Sequence, residues 1–339
     1  MRQLRPIVLV SSLLSGCGTS SEEATAPCVS ETWPAGACEA PWLPQVDALH
    51  VGAEWVFPAP NNGVVEVAVS DVVTGMPGAW QVADRFIIES EGPVEVFARV
   101  VSEDCTPVPV SAVYTGVMAY GAGAEQPDSG ALSLDEPAFV GWASTVHAVE
   151  FGDEVDERFR ESDLALGPAE GAAFGVVTLG EGGQITLGFE TPIGDGEGPD
   201  FAVFENAFND EFLELAYVEI SSDGERFVRF PSAYLGQTPL GPYDQQPPEG
   251  IQGLAGKHRA GFGTPFDLSV LRWHPQVVSG VVDLRAVAYV RLVDVVGDGE
   301  HRDSFGQPIY DPYPNMGSAG FDLDAVGVLN ATSVGECAP

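Results

Sequence analysis

The acids of this 339-residue chain are gathered rather than spread. They fall as Asp195, Glu197, Asp200 and Glu205, then Asp294, Asp298, Glu300 and Asp303, then Asp311, and last Asp322 and Asp324. Carboxylates on Gly-rich loops suit a hard cation such as calcium, which takes about 6–8 oxygen ligands. The EF-hand spacing is absent, because Gly198 and Pro199 stand where ligands belong. A calcium site would therefore be assembled from separate strands. Asp200, Glu205, Asp294 and Asp322 flank strand ends and are the candidates by position. The plainer reading makes the same acids solvated turn formers.

Other chemistry is sparser. The five histidines, His50, His147, His258, His274 and His301, form no HExxH and no zinc-spaced pair. His301 beside Asp303 has the makings of half a catalytic pair, yet no GxSxG elbow or other activated nucleophile accompanies it. With Asp+Glu 50, a pair of acids at glycosidase spacing arises by abundance alone. No catalytic residue is singled out. Lys257 and His258, beside Arg259, form the one cationic cluster, suited to an anionic ligand group or to neighbouring acids. Aromatic residues concentrate in Pro- and Gly-rich stretches, Tyr310 and Tyr313 among them, where rings stack on a sugar or pack on prolines. Lys257, His258, Tyr310 and Tyr313 are the candidate ligand-binding residues.

The elements that position these groups are strands. A net charge of −36, from Lys+Arg 14 against Asp+Glu 50, argues against nucleic acid or an anionic membrane surface as partner. Hydrophobic residues at 45% exclude a disordered acidic polymer, and Gly 40 with Pro 27 imply many turns between short strands. Residues 45–120 carry strands over Val64–Val69, Arg85–Ile88, Val94–Val101 and Val108–Tyr114, which predict a small immunoglobulin-like sandwich. Residues 121–143 read as a linker. From 144 to 331, strands are expected over Val146–Phe151, Val176–Leu179, Gln184–Phe189, Phe201–Glu205, Ala216–Ser221, Phe227–Phe230, Ala288–Val293 and Ala325–Leu329. Apolar residues at every second position, as in Ile185, Leu187 and Phe189, mark half-buried antiparallel strands. The expected fold is all-β: the small sandwich followed by a larger jelly-roll.

Residues 1–17 have a charged start at Arg2 and Arg5 and a short apolar run from Ile7 to Leu14, the pattern of an export signal. Leu14-Ser15-Gly16-Cys17 resembles the bacterial lipobox, which implies acylation of Cys17. With Gly18 rather than Asp next, the resemblance implies an exported, lipid-anchored protein of the outer membrane or cell surface. Residues 18–44 have tether composition, and 332–339 form a tail. Cys28, Cys38, Cys105 and Cys337 make an even set in an exported chain, which predicts two disulfides with the pairing open.

Ordered blocks from Ala165-Leu166-Gly167-Pro168 and Leu179-Gly180-Glu181-Gly182-Gly183-Gln184-Ile185-Thr186-Leu187 to Gly320-Phe321-Asp322-Leu323-Asp324-Ala325-Val326-Gly327 resemble a group of bacterial cell-surface lipoproteins. Between them lie Gly198–Asn206 (GPDFAVFEN), Val218–Gly224 (VEISSDG), Gly263–Leu268 (GTPFDL), Tyr289–Asp294 (YVRLVD) and Pro308–Pro314 (PIYDPYP). The VEISSDG and FDLDAV segments also resemble galactose-binding, discoidin-like jelly-rolls. That resemblance implies a structural calcium against an acid of the last strand, here Asp324. It also implies a non-catalytic module for ligand binding or adhesion, with a carbohydrate or other small extracellular ligand. The alternatives are a glycan hydrolase with an unmarked acidic site, and an accessory lipoprotein capturing a glycan or corrinoid.

Overall fold

A computed structural model describes residues 33–70, 77–172 and 174–332. Cys17, Cys28 and Cys337 lie outside the described residues. No helix among the described residues is long and apolar enough to cross a membrane.

Seven strands build the first region: β1 (Ala48–His50), β2 (Glu54–Val56), β3 (Val64–Ser70), β4 (Gln81–Val82), β5 (Arg85–Ile87), β6 (Gly92–Val101) and β7 (Val110–Val117). Their alternation is that of strands with one wet face: in β7, Val110, Ala112, Tyr114 and Gly116 are buried and the residues between them exposed, Val117 apart. A sheet ordered β1-β7-β6-β3-β4 faces the short β2–β5 pair, giving a small sandwich. β1 joins β7 in parallel, with Ala48 opposite Thr115. Trp55, Phe57, Phe86 and Tyr114 fill its core.

The folded part begins earlier than composition suggested. Cys38 and Leu43, inside the stretch expected to be tether, are buried in this core. Cys38 is disulfide-bonded to Cys105 across 67 residues of sequence, which resolves one of the open pairings.

The second region has twelve strands: β8 (Leu132–Ser133), β9 (Gly141–Glu150), β10 (Val177–Thr178), β11 (Gln184–Ile193), β12 (Phe201–Glu205), β13 (Ala216–Ser221), β14 (Val228–Arg229), β15 (Ala233–Tyr234), β16 (Ile251–Gln252), β17 (Phe262–Phe266), β18 (Val287–Asp294) and β19 (Asp322–Val328). Ten of them follow the order β14-β13-β18-β11-β9-β19-β12-β17-β8, with β10 on β19. β9 turns the corner: its body pairs with β11 and its first residues with β19. The sheet thus curls into a sandwich, closed on Leu187, Phe201, Val218, Leu292, Phe321 and Val326. β8 lies within the segment expected to be linker, where Leu132 pairs with Gly263 and Leu134 packs on the sheet.

Both regions belong to one compact unit, Thr32–Val334. Their seam is aromatic, with Trp33 against Trp273 and both His50 and Trp55 against Phe305.

Candidate functional site

The antiparallel registers decide which loops meet. Glu205 ends β12 beside Leu323 of β19, and Ala216 begins β13 opposite Asp294, the last residue of β18. β14 runs back along β13 toward that same end, and β17 begins there, alongside β12. Segments 206–215, 230–261 and 295–321 therefore leave the sandwich at one end.

At this end five acids are drawn inside. Glu205 and Asp294 are 1% exposed, Asp311 3% and Glu214 7%, with Asp322 half-buried. Asp294 ties the two halves of the sheet together, accepting the Gly182 N–H on Oδ2 and the Phe321 N–H on Oδ1, both at 2.8 Å. Asp322 accepts the Thr178 hydroxyl and the Asn206 side chain. Glu214 Oε1 accepts Asn315 Nδ2 at 2.9 Å. Ala207 N–H donates to Glu205 Oε2 at 2.8 Å, and Leu215 N–H to Asp311 Oδ2 at 3.0 Å. The second oxygens, Glu205 Oε1 and Asp311 Oδ1, are buried without a hydrogen-bond partner. A buried acceptor left unmade carries a desolvation cost of about 1–3 kcal/mol, more when charged.

No Lys or Arg answers this charge: among the described residues, no ion pair includes any of the five. Burial raises every one of their pKa values, taking Asp294 up to about 7. The acids also repel each other: Glu214 and Asp322 push Glu205 up further, and Asp322, Asp311 and Asp294 do the same to Glu214.

The expected metal ligands thus divide three ways. Glu205, Asp294 and Asp322 converge. Asp200 lies at the opposite end of β12, its carboxylate taken up by the N–H groups of Gly196 and Leu268 and by Asn330 Nδ2. Its oxygens lie within 4.8 Å of those of Asp195 and Asp267. Asp324 spends its carboxylate on the Glu170 and Gly171 N–H groups, where it pins a loop to β19. Glu214 escaped sequence reading, because a lone acid in the apolar run Phe212-Leu213-Glu214-Leu215-Ala216 resembles a strand's wet position. Its burial beside leucines was the available signal. Asp311 was counted among the clustered loop acids but not among the candidate ligands, because it flanks no predicted strand end.

Lys257 and His258 are buried, not presented to solvent. Burial takes the Lys257 ammonium down to about 8 and, with the Lys257 charge beside it, His258 to about 3. The half-buried cation of that cluster, Arg259, pairs with Asp210 and Glu125. Tyr310 is half-buried and packs edge-on against Tyr234, with Tyr313 half-buried three residues on. No hydrogen bond or ring contact joins the Lys257–His258 pair to these tyrosines among the described residues. Asp303 is a turn organiser that accepts the N–H groups of Tyr234, Phe305 and Gln307, and His301 faces Tyr217 instead.

Three large side chains stand exposed at this end, Phe208 (71% exposed), Tyr243 (87%) and Met316 (83%), one on each of the three loops. Sequence reasoning counted Tyr243 among the loop aromatics but singled out neither Phe208 nor Met316. The loop that carries Tyr243 is tied to the loop that carries Phe208, because Gln246 N–H donates to the Glu211 carbonyl and Gln246 Nε2 to that of Leu213.

No family model matches this chain, and no curated protein matches it. Several solved chains are similar to this one; among them is a structure described as the structural basis for the promiscuous specificity of the carbohydrate-binding modules from the beta-sandwich super family. Identity is 11% and the TM-score 0.18, over 88% of this chain and 94% of that one. At that score nothing about the site is carried across. The fold itself is an all-β pair of sandwiches.

Proposed function

We propose that this protein is a displayed, non-catalytic binding module, acylated at Cys17 and offering the loop end of its second sandwich to a carbohydrate or other small extracellular ligand. One observation carries the reading: Phe208, Tyr243 and Met316 project into solvent from three loops that share one end of a rigid β scaffold. Large apolar side chains on such loops are where β-sandwiches recognise ligands, and a ring face stacks on the apolar face of a sugar. Tyr310 and Tyr313, on the third loop, complete the wall. Lys257 and His258, both buried, take no part in it.

The test is a glycan array probed with the full exported chain. Binding to a defined class of glycans, weakened about tenfold by Tyr243→Ala or Phe208→Ala with the melting temperature kept, is the expected result. Release of product from a bound glycan, abolished by Asp303→Asn, would replace this reading with the hydrolase alternative.

A further inference from the structure

The buried acids at the loop end call for a cation. Five carboxylates stand together there, and two, Glu205 and Asp311, each keep one oxygen buried and unpartnered. Taking one charge out of water without a partner costs several kcal/mol, and a fold seldom retains five such groups side by side unless something positive joins them. Among the described residues, no ion pair brings a positive side chain to any of the five. The donor atoms are all oxygen, with no histidine or thiolate among them, which disfavours zinc and favours a hard cation.

We propose that Glu205, Glu214 and Asp311, backed by Asp294 and Asp322, hold a calcium ion at the loop end of the second sandwich. The division of labour follows from the hydrogen bonds. Asp294 and Asp322 are committed to N–H, hydroxyl and amide donors, so they frame the site and add negative potential. Glu205 Oε1 and Asp311 Oδ1 are buried and unclaimed, and Glu214 has a second oxygen to give. These oxygens are not yet as close as those of Asp195, Asp200 and Asp267, which lie within 4.8 Å of one another, so the ion would draw its ligands inward. Asp200 of that second trio is saturated by protein donors and offers nothing for a metal to complete. Calcium tolerates the flexible, irregular shell that three loop-end carboxylates, carbonyls and waters provide, whereas magnesium demands a near-octahedral one. The proposal differs from what the discoidin-like jelly-roll resemblance implied, since Asp324 lies outside it. It also stands apart from the ligand-binding reading, because the ion is read by thermodynamics without any glycan.

The experiment uses the full exported chain stripped with a chelator. Calcium titrated in a calorimeter should bind at one equivalent, and millimolar calcium should raise the melting temperature by about 5–10 °C for a micromolar site. Glu205→Gln, Asp311→Asn and Glu214→Gln, which keep side-chain size, should each weaken calcium binding at least about tenfold. They should also melt higher than the parent in chelator, because each removes an unanswered charge. That second readout stays informative if a variant binds no metal at all. Asp324→Asn should leave affinity unchanged. Absence of calcium binding, an equal response to magnesium, or binding kept in all three variants and lost in Asp267→Asn would each overturn the assignment.

Discussion

Trp42 stands edge-on to His274, ring centroids 4.5 Å apart, and edge-on to Trp55 at 4.9 Å. One indole thus couples the core of the first sandwich to the short helical turn Pro275–Val278 of the second, which His274 caps by accepting the Gln276 N–H on Nδ1. An imidazole in that position has lost most of its water.

A pH dependence follows from that loss. Burial lowers the His274 pKa from its ordinary 6.5 to about 4. As pH falls from about 6.5 to 4 the unfolded chain takes up a proton there and the native chain does not, so this group's contribution is present above 6.5 and lost on acidification. His274→Asn keeps a capping acceptor and removes the titration. The stability difference between parent and variant, measured by urea unfolding, should shrink by about 1 kcal/mol between pH 7 and pH 4, allowing for partial exposure of the ring. A difference that stays constant across that range would refute the argument.

Gly256 has φ +86°, and a Cβ there would sit 1.8 Å from the Glu214 carbonyl oxygen. Gly256→Ala should therefore cost about 1–3 kcal/mol from the backbone alone. Because the clash moves Glu214, it should also blunt the thermal response to calcium. A melting curve with and without chelator checks both effects.

The Cys38–Cys105 bond closes most of the first sandwich into one covalent loop. Replacing both cysteines with serine should lower stability by about 2–4 kcal/mol, and peptide mapping without reductant should recover the two joined. Recovery of Cys38 paired with any other cysteine would contradict the structure.

The anchor is tested by Cys17→Ser. The parent should partition into the detergent phase and carry acyl mass. The variant should accumulate as an unacylated form in the aqueous phase. An unchanged detergent fraction would remove the lipid anchor from the proposal.

Strands were legible where polarity alternates or apolar residues run together between turn signals. The readings at Phe201–Glu205 and Ala216–Ser221 coincide with β12 and β13. Short strands such as β8 and β16 were not, because two residues carry no period. The site was half legible. Glu205, Asp294 and Asp322 announce themselves by ending or beginning strands, and strand ends are where loops converge. Glu214 did not, since its partners Asn315 and Asp311 lie about a hundred residues away and only the register of β13 on β18 brings them near. Lys257 misled for the opposite reason: a single lysine in an acidic chain suggests exposure, yet the fold buries it.

The disulfide also has a mechanical meaning. A pull entering from the N-terminal side reaches Cys38 first and passes through the sulfur bridge to Cys105, leaving β1 to β6 off the line of force. Tension resumes only at Thr106 and runs into β7. Were such a protein held at one end under flow, β1 to β6 would form a covalently closed loop outside the load path that cannot be drawn out without cutting the bond, and β7 alone of the first sandwich would carry the load.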